Sequence, residues 1–236
     1  MCGRYRLSRR KQILAEHFDA VPFEEDWEPR YNIAPTQPVP VIRQTPNFRE
    51  LVLMRWGLIP SWATDPSIGF KTINARSETI TTTASFRDPL RTRRCLIPAD
   101  GFYEWVRNGR SKHRSRQPFC FEVGDGEMFV FAGLWDRWID PHGKALESCT
   151  IITTTANAHL ADIHDRMPVI LPSGTYASWL NPTMRNSRIA LGQLVPYADQ
   201  MRRYAVSTRI NHVQNDDLEC SKPVELEAPP QGSLFV

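Results

Sequence analysis

The chain of 236 residues is 41% hydrophobic and 23% charged, the balance of a globular protein long enough to bury a full core. No apolar run approaches the roughly 18–20 residues of a membrane span, and residues 4–11 carry four arginines and a lysine where a secretory signal would be apolar, so a cytoplasmic protein is expected. The net charge of +3 is too small to demand a polyanionic partner, although 24 arginines against five lysines favour the side chain whose planar fork matches phosphate.

In chain order, Ser8 is placed to cap a helix whose apolar face is Ile13, Leu14 and Phe18. The turn-rich Tyr31-Asn32-Ile33-Ala34-Pro35-Thr36 then leads to alternating strands at 39–43 and 50–56. Further strands are predicted at 94–99, 102–106, 118–123, 128–135, 149–155 and 203–207, and short helices at 157–164 and 175–180. Many strands, few helices and no βαβ alternation predict a mixed, mainly antiparallel α+β domain over residues 1–222. Residues 223–236, with Pro229-Pro230, read as a Pro-rich tail. The cysteines at 2, 95, 120, 149 and 220 form no C-x-x-C pair, which argues against a metal cluster or a disulfide framework. No cofactor is expected, and Cys95, Cys120 and Cys149 lie in apolar runs as small core residues.

Cys2 carries the most distinctive chemistry. Loss of Met1 would give one residue an α-amine and a β-thiol on adjacent carbons, and that pair captures aldehydes. The amine condenses to an imine, and the thiol closes on the imine carbon to form a five-membered thiazolidine. The alternative is that Cys2 is merely a small residue after the start codon. Three further segments place polar groups inside apolar, turn-bounded stretches: Ile73-Asn74-Ala75-Arg76-Ser77-Glu78-Thr79, Asp100-Gly101-Phe102-Tyr103-Glu104-Trp105 and Asp162-Ile163-His164-Asp165-Arg166-Met167-Pro168.

Together with Asn32-Ile33-Ala34-Pro35 and Arg55-Trp56-Gly57-Leu58-Ile59-Pro60, these segments resemble the SRAP family, SOS response-associated peptidase-like proteins that crosslink to abasic sites in DNA. The resemblance runs over nearly all of residues 2–215 and implies the SRAP fold, with a mainly antiparallel sheet or open barrel core. It implies that Cys2 is the crosslinking residue, that Glu104 relays protons, that Asn74 holds the amine or the sugar hydroxyls, and that His164 assists sugar-ring opening. Solvent-facing or turn positions are the competing accounts of Glu104, Asn74 and His164. It further implies that Arg4, Arg76 and Arg166 contact phosphates, and that Trp62 and Pro35 stack on or wedge against bases beside a flipped-out site. Core packing is the rival explanation of Trp62 and the stronger one for Trp56, Trp105 and Trp135. The resemblance departs at Ala84, where some relatives carry arginine; Arg87 is the nearest basic residue, and its compensating for Ala84 is left open. The basic stretch at 107–116 reads as a solvated hairpin loop.

The expected activity is covalent capture of abasic sites in single-stranded DNA or at single-strand/duplex junctions, shielding the lesion during replication and the SOS response. The peptidase of the family name would be limited to self-processing before Cys2. Alternatives are an N-terminal-nucleophile amidotransferase, which would attack an amide with the Cys2 thiol, and a non-covalent single-stranded-DNA-binding module. A monomer is expected. In the tail, Gln231, Leu234 and Phe235 resemble the bacterial sliding-clamp-binding pentapeptide, with an acidic, Pro-rich leader giving it reach. A terminal latch on the domain's own surface is the other reading of that pair.

Overall fold

The alternating apolar runs pair into two sheets in the computed structural model, which describes residues 2–106, 117–184 and 187–226. The basic stretch at 107–116 and the clamp-like residues Gln231, Leu234 and Phe235 lie outside the described residues. The first half of the chain contributes β1 (Tyr5–Leu7), α1 (Lys11–Phe18), β2 (Ala20–Val21), β3 (Arg30–Ile33), β4 (Pro38–Gln44), β5 (Arg49–Trp56), β6 (Asn74–Arg76), α2 (Arg87–Thr92), β7 (Arg94–Ala99) and β8 (Gly101–Trp105). The second half adds β9 (Pro118–Val123), β10 (Phe129–Ile139), β11 (Ala145–Thr155), β12 (Arg166–Pro168), β13 (Ile170–Leu171), α3 (Tyr176–Leu180), α4 (Ser187–Leu191) and β14 (Met201–Ala205).

The larger sheet closes on itself. Antiparallel pairings run from β11 through β10, β7 and β4 to β5, and β5 returns to β11 in parallel, Arg55 beside Ser148 and Trp56 beside Cys149. A five-stranded barrel with mixed pairing results, and closure removes the exposed edges that an open sheet must otherwise protect. The second sheet, ordered β14-β9-β8-β1-β3, is antiparallel throughout. Tyr5 of β1 meets Trp56 and Phe131 edge-on at centroid distances of 5.3 and 5.6 Å. Phe102 stacks on Phe121 at 5.3 Å, so aromatic contacts join the two sheets in one core. Cys95 and Cys149 are buried in that interior and Cys120 in a smaller cluster with Tyr103, Val206, Ile210 and Cys220, as their apolar surroundings in the sequence indicate.

Strand β11 is the part of the barrel that matters most for the site. Its second half parts from β10, and the segment carrying β12 and β13 inserts between them. The Val169 N–H donates to Ile152 O, and Val169 O accepts from the Ala132 N–H, each at 2.9 Å. On the opposite edge of β11, β6 runs parallel, with Asn74 beside Ile151 and Arg76 beside Thr153. One strand therefore carries β6 on one side and β12, with Arg166, on the other.

Two sequence expectations are corrected here. Ser8 does not cap α1: its hydroxyl and its N–H both donate to Asp100 Oδ2 at 2.7 Å, and α1 begins after Arg10 with no side-chain cap. A buried carboxylate gains more from two short donors than one exposed helix turn gains from a cap. Residues 157–164 form successive turns and not a regular helix, with Leu160 N donating to Asn157 O and His164 N to Leu160 O. Among the described residues no helix is long and apolar enough to cross a membrane.

Candidate functional site

The register of β1 against β8 sets the centre of the site. Tyr5 pairs with Phe102 and Arg6 with Gly101, and the Tyr103 N–H donates to Arg4 O at 3.0 Å. Continued towards the chain start, this register brings Gly3 across from Glu104, which places Cys2 next to that pair and within electrostatic reach of the Glu104 carboxylate. Both are buried: Cys2 is fully enclosed and Glu104 is 3% exposed. Burial pushes the Cys2 thiol far above its ordinary value, the Glu104 carboxylate raises it further, and the positive amino terminus and a hydrogen bond from the Arg4 backbone N–H only partly offset them. The thiol is consequently protonated at neutral pH.

Asn74 supplies the third member. Its Nδ2 donates to Cys2 O at 2.9 Å, anchoring the residue by its backbone, while its Oδ1 is buried with no hydrogen-bond partner. A buried acceptor left open costs about 1–3 kcal/mol, and such a group in a native fold points to a ligand or a catalytic use. Here it lies on the residue that grips Cys2.

His164 stands at the C-terminal end of β11, where Ala156 N donates to Asp165 O and β12 follows directly. Its Nδ1 lies 2.9 Å from the Arg166 N–H and 3.0 Å from Asp165 Oδ1. With Nδ1 accepting from the Arg166 N–H, the neutral ring carries its proton on Nε2.

The three arginines occupy unlike settings. Arg4 is half-buried: Nη1 donates to Asn32 Oδ1 at 2.7 Å and Ile210 O at 2.8 Å, its guanidinium lies 6.0 Å from the Trp105 ring, and burial lowers its pKa. Asn32 in turn donates to the carbonyls of Ile210, His212 and Asn215, so Arg4 belongs to the joint between β3 and the last described segment. Arg166 grips Glu78 with both terminal nitrogens. Arg76 is exposed on β6.

Exposure separates the tryptophans. Trp56 is fully buried and donates to Ile73 O at 2.8 Å, whereas Trp62 is 56% exposed. The loop carrying Trp62 is pinned: Ser61 N donates to Asp136 Oδ2 at 3.0 Å and Trp138 Nε1 to Ala63 O at 2.7 Å. Gly57 begins this loop at φ +120°, where a Cβ would stand 2.5 Å from Gly69 O. The sequence reading missed Phe70, 64% exposed at the far end of the loop with the Arg55 guanidinium 5.5 Å from its ring. Nothing in Gly69-Phe70 distinguishes it from a core aromatic until the fold turns it outward. Pro35 is half-buried in the turn before β4, beside Thr36 at φ 76°. Ala84 is exposed, and Arg87 lies 3.8 Å from Asp88.

The model of the SOS response associated peptidase family, SRAP, matches residues 1–213. The chain belongs to this family. Among SRAP relatives, abasic site processing protein YoqW of Bacillus subtilis is 42% identical over 222 residues, spanning 93% of this chain and 98% of that protein. Abasic site processing protein HMCES of Gallus gallus is 36% identical, spanning 88% and 70%. A crystal structure of a protein from Bacteroides thetaiotaomicron superposes with a TM-score of 0.85 at 27% identity, covering 95% of this chain and all of that one. A Bordetella bronchiseptica protein gives 0.71 at 32% identity, covering 87% and 100%. The barrel with few short helices is thus the architecture of the SRAP fold.

Proposed function

We propose that this protein processes abasic sites in DNA by capturing the sugar aldehyde on Cys2, once loss of Met1 frees the α-amine. The observation that carries the reading is the enclosure of Cys2 between Asn74 and Glu104, with its thiol pushed up towards the neutral form. A thiol in that state is a poor first nucleophile. The amine therefore attacks C1′ of the ring-opened sugar, and the carbinolamine loses water to give the imine. The thiol then passes its proton to the Glu104 carboxylate as sulfur adds to the imine carbon and the imine nitrogen regains a proton. One water leaves and no oxidant is needed.

Asn74 Oδ1 supplies an acceptor for the amine or a sugar hydroxyl, and His164 supplies a proton during ring opening. Trp62 and Phe70, exposed on a pinned loop, offer stacking faces for bases beside the lesion, and Arg76 and Arg166 flank β11 as phosphate contacts. The relatives named abasic site processing proteins support the same substrate class.

The test is incubation of the Met1-free protein with an oligonucleotide carrying one abasic site. Wild type is expected to give a heat-stable adduct without borohydride, and Cys2→Ala none. Cys2→Ser is expected to give at most a labile adduct. Equal stable adduct from Cys2→Ala would end the proposal, and loss of chemistry without loss of DNA binding would separate it from a purely non-covalent binding module.

A further inference from the structure

Arg166 is the buried partner of an unusual pair. Its side chain is 13% exposed and that of Glu78 is 47% exposed, so the acid lies on the solvent side of the cation. Nη1 meets Oε1 at 2.5 Å and Nη2 meets Oε2 at 2.9 Å, the fork-on-fork geometry that a guanidinium also offers to a phosphodiester. Nη2 donates besides to Thr153 O at 2.8 Å, so β11 fixes the guanidinium independently of Glu78. Arg166 Nε is buried with no hydrogen-bond partner, leaving part of the fork unsaturated. Ser77 N donates to Thr153 O at 2.9 Å, which holds the turn carrying Glu78 against the same strand. The Arg166 hydrogen bond holds the Glu78 carboxyl below its usual range, so it is ionised at neutral pH.

We infer that Glu78 is an internal competitor for the DNA backbone: its carboxylate occupies the Arg166 fork in the free protein and must be displaced before a phosphodiester binds there. The inference rests on the proposed reading of Arg166 as a phosphate contact. Its consequence is faster release of every reversibly bound strand. Undamaged single strands must displace Glu78 and gain nothing further, whereas a strand whose lesion has reacted at Cys2 is held by the covalent bond. Glu78 therefore lowers non-productive occupancy.

The experiment measures binding by fluorescence anisotropy over a salt series, with an undamaged oligonucleotide and one carrying a tetrahydrofuran residue, an abasic analogue without the aldehyde. Glu78→Gln is expected to tighten binding to both by about fivefold, the scale of one exposed charge pair. Its log-affinity against log-salt slope is expected to steepen by up to about 0.7, one single-strand phosphate contact. In an Arg166→Gln background the same substitution is expected to change neither quantity. Unchanged or weaker binding by Glu78→Gln would make Glu78 a brace for Arg166 and overturn the inference. A gain that survives in Arg166→Gln would also overturn it, as a general charge effect. Crosslinking of a reactive abasic oligonucleotide by wild type, run alongside, reports separately on the underlying function: its absence removes that reading whatever the Glu78 variants do.

Discussion

Replacing Asn74 by alanine separates chemistry from stability. The substitution removes the Nδ2 donor to Cys2 O, a loss of about 1 kcal/mol for a buried hydrogen bond. It also removes the unpartnered Oδ1, whose burial costs about 1–3 kcal/mol in the wild type. These terms oppose one another, and the trimmed side chain adds a small packing loss. Net stability is expected to move by no more than about 2 kcal/mol, which for a chain of this size is a shift of at most about 4–8 °C in Tm. Catalysis has no such compensation. Cys2 loses the group that fixes its backbone, and a displacement near 1 Å costs about 100-fold. The assay pairs a thermal melt with single-turnover crosslinking at saturating abasic DNA. A near-native Tm with a crosslinking rate down about 100-fold supports a positioning role, provided affinity for the tetrahydrofuran oligonucleotide is retained. A native rate would refute the assignment, and so would a Tm loss beyond about 8 °C that accounts for the lost rate by unfolding.

Other outcomes are equally specific. Burial raises the thiols of Cys2, Cys95 and Cys149 above their ordinary value of 9.0. Above that pH the unfolded chain releases protons that the folded one keeps, so stability is full below about pH 9 and falls as pH rises, by up to about 1.4 kcal/mol per unit for each thiol. Denaturant titrations of wild type and Cys149→Ala are expected to show a shallower alkaline decline in the variant, and parallel declines would contradict the argument. Gly57→Ala forces a Cβ to 2.5 Å from Gly69 O at φ +120° and is expected to cost about 1–3 kcal/mol, read as a Tm lower by about 2–12 °C; an unchanged melt would show the loop to be freely adjustable. A peptide of residues 225–236 is expected to bind a bacterial sliding clamp with micromolar affinity and to lose it when Leu234 and Phe235 become alanine. Binding that persists in the double variant would discard the motif.

The barrel strands β4, β5, β7, β10 and β11, and β9 of the second sheet, were legible within a few residues because long apolar alternation has few other uses. β1, β6 and β12 were not, since each is three residues long and is a strand only by virtue of a partner far along the chain. Asn74 shows the limit: Ile73-Asn74-Ala75-Arg76 marks a polar residue in an apolar setting, yet its contact with Cys2 depends on β6 lying against β11. Arg166 shows a different one. Its charge and place beside His164 suggested a phosphate contact, but the carboxylate on its fork comes from 88 positions away, beyond any local pattern. The Ser8 cap failed for the same reason, because Asp100 reaches it only after β1 and β8 pair. Cys2 is nominated by its position and residue type, whereas the burial that raises its thiol belongs to the fold.

The most direct test of the account is intact and peptide-level mass spectrometry of the adduct between Met1-free protein and a single-abasic oligonucleotide. The expected product has the mass of both partners less one water, maps to the peptide beginning at Cys2, and leaves that residue inert to both amine and thiol reagents. An adduct on a lysine, or one at Cys2 whose thiol still alkylates, would contradict thiazolidine capture.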